Sequence, residues 1–379
     1  MPGLHGDDIR TLLEPHEPPC VTMALPTSPA RGGGRQDPVR LKNLVEEAER
    51  RLKALGLRTP DAKAVLQPAR ELLDDGRHWL KGRGGLAVFL SPGWHHVVVS
   101  PVEFQELLVV SGRFHIRPLV QASQSDRRFF LLSLSRSGTR LFTGSRFEFT
   151  PVEVPGMPQG IQVVEQYLVR ERQLQAHTGA RPGGSPARVL HGHGPGDDPD
   201  DDRVLEYFRQ VDAAVVPHLR ARSPLVLAAV EYLVPLYRRA TSWEDIPAEA
   251  LLGSPEGVPD NELHRRAWNV IARRTEAERA AQLDRYAGLA AKGRASADLH
   301  EIAAALREAR VETLFLADEA AVWGSSQNGD WQVHEQPGPG DEDLLDRAAA
   351  ETLRTGGVVY SLPGAELPSA APHAAILRF

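Results

Sequence analysis

Residues 191–202 read HGHGPGDDPDDD, two histidines and five aspartates in a run rich in Gly and Pro. In an extended segment residues two apart share a side, so His191 and His193 can present imidazoles together. Asp197, Asp198 or Asp200 can add carboxylates, and such a nitrogen and oxygen donor set suits a divalent metal. A simpler reading is open as well. Helical spacing begins directly afterwards, with Val204, Phe208, Val211, Val215 and Leu219 on one face. Asp201 or Asp202 then caps a helix over 203–220 and sits against its positive dipole end, and the other acids are solvated. The third reading places the loop, His191, Gly192, His193 and Gly194 included, at a partner surface.

The second feature that could carry chemistry is basic. Residues 111–147 hold seven arginines (Arg113, Arg117, Arg127, Arg128, Arg136, Arg140 and Arg146) against one acid, Asp126. Phe114, Phe129 and Phe130 are interleaved. Arginines with aromatics can meet phosphates and bases, which makes the stretch a candidate nucleic-acid contact. The competing reading is arginines scattered on the outer faces of strands.

The elements that must position these residues are legible in outline. CVTMALPT (20–27) reads as a strand. The run from Pro38 has helical spacing, with Asp37 as cap and Pro38 at the first helical position. A second helix follows over roughly 61–75, then GGLAVFLSPGWHHVVVS as two strands around a Pro-Gly-Trp turn. ELLVVSG and FHIRPLV are expected to continue that sheet. RRFFLLSLSRSGTRLFTGSRFEFTPVEV reads as a three-stranded meander, SPLVLAAVEYL as a buried strand, and 261–292 as a long charged helix without proline. The last segment alternates SADLHEIAAALREA (helix), VETLFLAD (strand), DEDLLDRAAAETLRTGG (helix), VVYSLP (strand) and HAAILRF (strand). That pattern predicts a small α/β/α layer structure, with SSQNGDWQVHEQPGPGDE as a surface excursion. The expected division is 1–125, 126–295 and 296–379. Of the net charge of −6, the last segment is strongly acidic, with 14 Asp/Glu against 5 Lys/Arg, a composition suited to a protein partner rather than to RNA.

Several function classes lack their signatures. There is no GxxxxGK[ST], no GxGxxG following a strand, no GxSxG elbow, no HExxH and no CxxC. The single cysteine, Cys20, cannot make an internal disulfide. The acidic start MPGLHGDDIR does not resemble a signal peptide, and no stretch approaches a spanning helix, so a soluble cytoplasmic protein is expected.

The order of the segments resembles the archaeo-eukaryotic peptide-chain release factor and Pelota superfamily, in its bacterial branch. CVTMALPT, RLKNLVEEAERRL, GGLAVFL and FHIRPLV are similar to the opening strand, long helix, Gly-rich strand and closing segment of that family's first domain. HGHGPGDDPDDDRVLEYFRQVDAAV falls where release factors carry a Gly-rich loop and then a helix. VETLFLAD, ETLRTGGVVYSL and HAAILRF resemble the strand, Thr-Gly-Gly turn and terminal strand of the last domain. The resemblance implies a three-domain α/β architecture able to occupy a tRNA-sized site on the ribosome, in rescue, stalling or hibernation. It also implies delivery by a translational GTPase held through the C-terminal domains.

Two departures limit what carries over. Gly-Gly-Gln, which promotes peptidyl-tRNA hydrolysis in release factors, occurs nowhere in the sequence, and RRLKALGLRT stands where the stop-codon-reading Asn-Ile-Lys-Ser would be. A factor without catalytic residues and without a cofactor is therefore expected. The alternative is a metal-dependent hydrolase or nuclease built on His191, His193, Asp197 and Asp198.

Overall fold

The computed structural model describes residues 6–28, 36–74, 84–135, 138–158, 160, 199–219, 223–327, 330–338 and 340–379. The protein is mixed α/β and divides into two compact units, Met1–Asp126 with Glu278–Phe379, and Arg127–Ala277.

The first unit opens with α1 (Gly6–Leu13), β1 (Cys20–Thr27), α2 (Asp37–Ala54), α3 (Thr59–Asp74), β2 (Gly84–Ser91), β3 (Trp94–Ser100), β4 (Leu107–Ser111) and α4 (Arg117–Ser125). The strands form one antiparallel sheet in the order β3-β2-β1-β4. Alternation along β1 and β2 divides their side chains between two layers. Val21, Met23, Leu25, Leu86, Val88 and Leu90 pack with Leu41, Leu44, Ala48 and Leu66 of α2 and α3. Cys20, Ala24, Ala87 and Phe89 belong to a second cluster.

Asp37 is the first residue of α2 rather than its cap. It is buried, and its Oδ2 accepts the N–H of Ser28 at 2.7 Å. FHIRPLV does not continue the sheet. Pro118 lies in the first turn of α4, whose Leu119, Val120 and Ala122 are buried.

The second unit contains β5 (Phe129–Leu134), β6 (Thr139–Gly144), β7 (Phe149–Val152), α5 (Pro199–Val215), β8 (Leu225–Ala229), α6 (Leu233–Ala240), β9 (Leu251–Leu252) and the first part of α7 (Asp260–Ala290). The expected meander is present, and the sheet order is β7-β6-β5-β8-β9, with β8 parallel to both β5 and β9. Phe130, Leu132 and Leu134 of β5 pack with Val204, Phe208 and Val211 of α5 and Tyr237 of α6. Phe129 and Leu131 pack with Leu263, Ala267, Val270 and Ile271 of α7. The sheet is thus sandwiched between helices.

The rest of the first unit is formed by the end of α7, β10 (Ala295–Ser296), α8 (Leu299–Arg307), β11 (Val311–Ala317), β12 (Trp323–Gln327), β13 (Asp330–Val333), β14 (Glu342–Asp343), α9 (Leu344–Arg354), β15 (Val358–Leu362) and β16 (His373–Leu377). Its main sheet runs β10-β16-β11-β15. Leu314 and Leu316 of β11 pack with Ile302 and Leu306 of α8 and Leu344 and Ala348 of α9. Phe315, Ala374 and Ile376 pack with Tyr286 of α7. This is the expected α/β/α layering. The predicted surface excursion instead forms a three-stranded sheet, β13-β12-β14, and Trp331 within it is only 6% exposed. The cluster holding α8 and α9 also contains Phe89, Phe104, Phe114, Ile116, Leu119 and Val120, so residues from both ends of the chain share one core.

Candidate functional site

The arginine-rich stretch falls partly in each unit, and its two parts have different surroundings. In the first unit, β4 ends at Ser111 and the chain enters α4 through Arg113, His115 and Arg117. Arg117 is almost fully enclosed. Its Nη1 donates to Asp343 Oδ2 at 2.9 Å and to the carbonyl of Ala320 at 2.5 Å, and its Nη2 donates to the carbonyl of Ala317 at 2.5 Å. Asp346 Oδ1 accepts the backbone N–H groups of Ile116 and Arg117 at 2.7 and 2.9 Å, with His115 Nδ1 at 3.5 Å. Arg113 lies 3.7 Å from Glu342 and 3.5 Å from Glu351. Arg117 is therefore turned inward, and acids from the acidic C-terminal segment face these residues. A cavity of about 870 Å³ lies alongside, lined by His16, Arg113, Glu342, Arg347, Glu351 and Arg354 among others. Its three arginines are matched by glutamates, since Arg347 pairs with Glu342 and Arg354 with Glu351. Cys20 offers no nucleophile here, because burial pushes its thiol up to about 11, only partly offset by Arg113.

In the second unit Arg127 and Arg128 precede β5, Arg140 lies in β6 and Arg146 in the turn before β7. Arg127 donates to Thr275 Oγ1 at 3.3 Å, and Arg128 lies 3.6 Å from Glu148. Arg140 pairs with Asp260 at 3.0 Å and lies 5.0 Å from the Phe142 ring centroid. Arg146 lies 5.3 Å from the centroid of Phe147, whose ring is exposed. The aromatics singled out in the sequence, Phe114, Phe129 and Phe130, are all core residues. Phe147 was missed, although its position in a Gly-Ser-Arg-Phe-Glu turn between two strands was a signal that it would project. Arg136 lies outside the described residues.

The loop residues His191, Gly192, His193, Gly194, Asp197 and Asp198 also lie outside the described residues. Asp201 and Asp202 do not cap the following helix, since α5 begins at Pro199 and both lie inside its first turn. Among the described residues no group of three or more His, Cys, Asp or Glu side chains is placed to hold a metal ion. No helix among them is long and apolar enough to cross a membrane.

A polar centre that sequence reasoning overlooked lies in the second unit. Asp212 of α5 is buried and accepts from Tyr237 Oη at 3.3 Å, Thr241 Oγ1 at 2.5 Å, and both the N–H and the hydroxyl of Ser242 at 2.9 Å. Burial and the adjacent Asp212 charge push the Tyr237 phenol well above its ordinary range. With four donors on one carboxylate, the arrangement ties α5 to the end of α6 and leaves no acceptor for a substrate proton. Glu231 and Tyr232 occupy an exposed turn before α6.

Residues 128–310 match the model of bacterial archaeo-eukaryotic release factor family 3. No curated protein matches the sequence. Among solved structures, archaeal Pelota in a model of ribosome-bound Pelota and ABCE1 is 10% identical, with a TM-score of 0.41 over 100% of this chain and 95% of that one. Dom34 of S. cerevisiae, a translation termination-like factor, is 8% identical, with a TM-score of 0.41 over 76% of this chain and 73% of that one. Archaeoglobus fulgidus Pelota is 13% identical, with a TM-score of 0.28 over 100% of this chain and 94% of that one. Residues 128–310 are thus similar to bacterial archaeo-eukaryotic release factor family 3.

Proposed function

We propose that this protein is a ribosome-associated translation factor of the release-factor/Pelota type that acts without hydrolysing peptidyl-tRNA, in ribosome rescue, stalling or hibernation. The observation that carries the reading is the match of residues 128–310 to bacterial archaeo-eukaryotic release factor family 3. The absence of Gly-Gly-Gln anywhere in the sequence favours a role other than peptide release. The RNA contact is assigned to the second unit, through Arg127, Arg128, Arg136, Arg140 and Arg146 and the loop around His191–Gly194. Arg117 is set aside because its guanidinium is enclosed by the protein's own acceptors. A translational GTPase, engaged through the acidic C-terminal segment, is the proposed protein partner.

The test is co-sedimentation of the purified protein with ribosomes at rising salt, paired with a peptidyl-tRNA hydrolysis assay on stalled complexes. The expected result is salt-sensitive association, because arginine–phosphate contacts release counterions, with no hydrolysis. Replacing Arg128, Arg140 and Arg146 together by Gln is expected to weaken association while leaving the circular dichroism spectrum intact. Failure of the wild-type protein to sediment with ribosomes even at low salt would refute the reading. Hydrolysis lost on changing His191 and His193 to Ala would replace it with an enzymatic one.

A further inference from the structure

We propose that the turn between β6 and β7, with Phe147 at its tip, is a contact for unpaired RNA bases. Phe147 is 47% exposed, and the Arg146 guanidinium lies 5.3 Å from its ring centroid. One face of the ring thus carries a cation, and a base can stack on the other face or on the guanidinium plane.

The backbone of the turn that carries the ring is held in place. The N–H of Ser145 donates to the carbonyl of Glu148 at 2.8 Å. Ser145 Oγ accepts the N–H groups of Phe147 and Glu148, each at 3.3 Å. The Ser145 carbonyl accepts from His264 Nε2 on α7 at 2.7 Å. Beneath the tip, His264 stacks on Phe149 with centroids 5.0 Å apart, and Phe149 on Phe142 at 4.6 Å. Gly144, just before the tip, admits no larger residue, since a Cβ there would lie 2.6 Å from the Phe129 ring and 2.9 Å from that of Phe149. A phenylalanine on so constrained a turn gives up little backbone freedom when it binds, which favours an aromatic anchor.

Charge identifies the occupant as nucleic acid. Around the turn Arg127, Arg128, Arg140 and Arg146 outnumber the acids that face them, Glu148 at 3.6 Å from Arg128 and Asp260 at 3.0 Å from Arg140. Phosphates are drawn to such a strip, whereas an acid-poor peptide is not. Tyr232 is also exposed in this unit, but it follows the exposed Glu231, whose charge repels phosphate. The bases of a duplex are already stacked on one another, so the ring face selects unpaired nucleotides.

The proposal rests on the preceding reading only for the source of the RNA. Its test measures anisotropy of a fluorescein-labelled, unstructured oligoribonucleotide and of a hairpin of equal length, titrated with the full-length protein. The wild type is expected to prefer the single strand. Phe147→Ala is expected to lose about tenfold in single-strand affinity with an unchanged salt slope, and Phe147→Trp to retain it. Arg146→Gln is expected to lower the salt slope by about 0.7. Equal single-strand affinity of Phe147→Ala and wild type, or no wild-type binding at low salt, overturns the proposal. So does a Phe147→Ala variant that keeps RNA affinity and loses a protein partner. Ribosome co-sedimentation run in parallel separates the two readings: sedimentation by wild type and Phe147→Ala alike, with equal oligonucleotide binding, removes the tip contact and leaves the translation reading standing.

Discussion

The guanidinium of Arg117 and the carboxylate of Asp343 lie 2.9 Å apart with side chains only 7% and 1% exposed, which joins the entry of α4 to the start of α9 across 226 residues of chain. Two carbonyls, of Ala317 and Ala320, take further donors of the same guanidinium. Removing one partner of such a pair strands the other charge in the interior. Arg117→Ala is therefore expected to destabilise the protein by about 3–5 kcal/mol, read from urea unfolding. Arg117→Lys keeps the charge but cannot span the same acceptors, and is expected to recover only part of that loss. If Arg117→Ala unfolds at the wild-type midpoint, the pair is not holding the two segments together.

Asp346 has a separate job at the same junction. Its Oδ1 accepts the N–H groups of Ile116 and Arg117, which open α4 and have no acceptor within their own helix. Asp346→Ala leaves both donors buried and is expected to cost about 2–4 kcal/mol, whereas Asp346→Asn retains an acceptor oxygen and is expected to cost less. Amide exchange gives the local readout: in Asp346→Ala the first turn of α4 is expected to exchange faster than β1 and β2. Uniform acceleration across the unit would contradict a capping role.

This long-range cap explains a misread segment. FHIRPLV has the apolar run of a strand, and the helix it enters is capped by a carboxylate 230 residues further on, which local pattern cannot register. The same limit applies to SSQNGDWQVHEQPGPGDE, whose polar composition suggests a surface excursion. Its Trp331 is nevertheless buried in the core shared with α8, α9 and α4. By contrast, the meander and the long helix were legible, because alternation, turn residues and the absence of proline act within a few residues of where they are read. The arginine-rich stretch was visible as composition. Its split into an enclosed part around Arg117 and an outer part around Arg140 and Arg146 depends on which acids fold against it.

His373 opens β16 and is buried, and that burial pushes its pKa below the ordinary 6.5, with the Ala297 backbone and the Asp298 charge offsetting part of the effect. The folded protein thus holds a neutral imidazole where the unfolded chain accepts a proton more readily. As pH falls through 6.5 the unfolded state binds the extra proton first, so stability declines. The decline stops once pH passes beneath the folded value, where both states are protonated. Asp298 does not confuse this window, because its carboxyl is held below its ordinary 3.8 by the N–H groups of Glu301 and His300. Its contribution is present above that range and is lost only in stronger acid. Urea midpoints measured between neutral and mildly acidic pH are therefore expected to fall more steeply for wild type than for His373→Leu, in which the titrating group is gone. Parallel curves for the two proteins would mean that His373 is protonated in the fold as easily as in the unfolded chain.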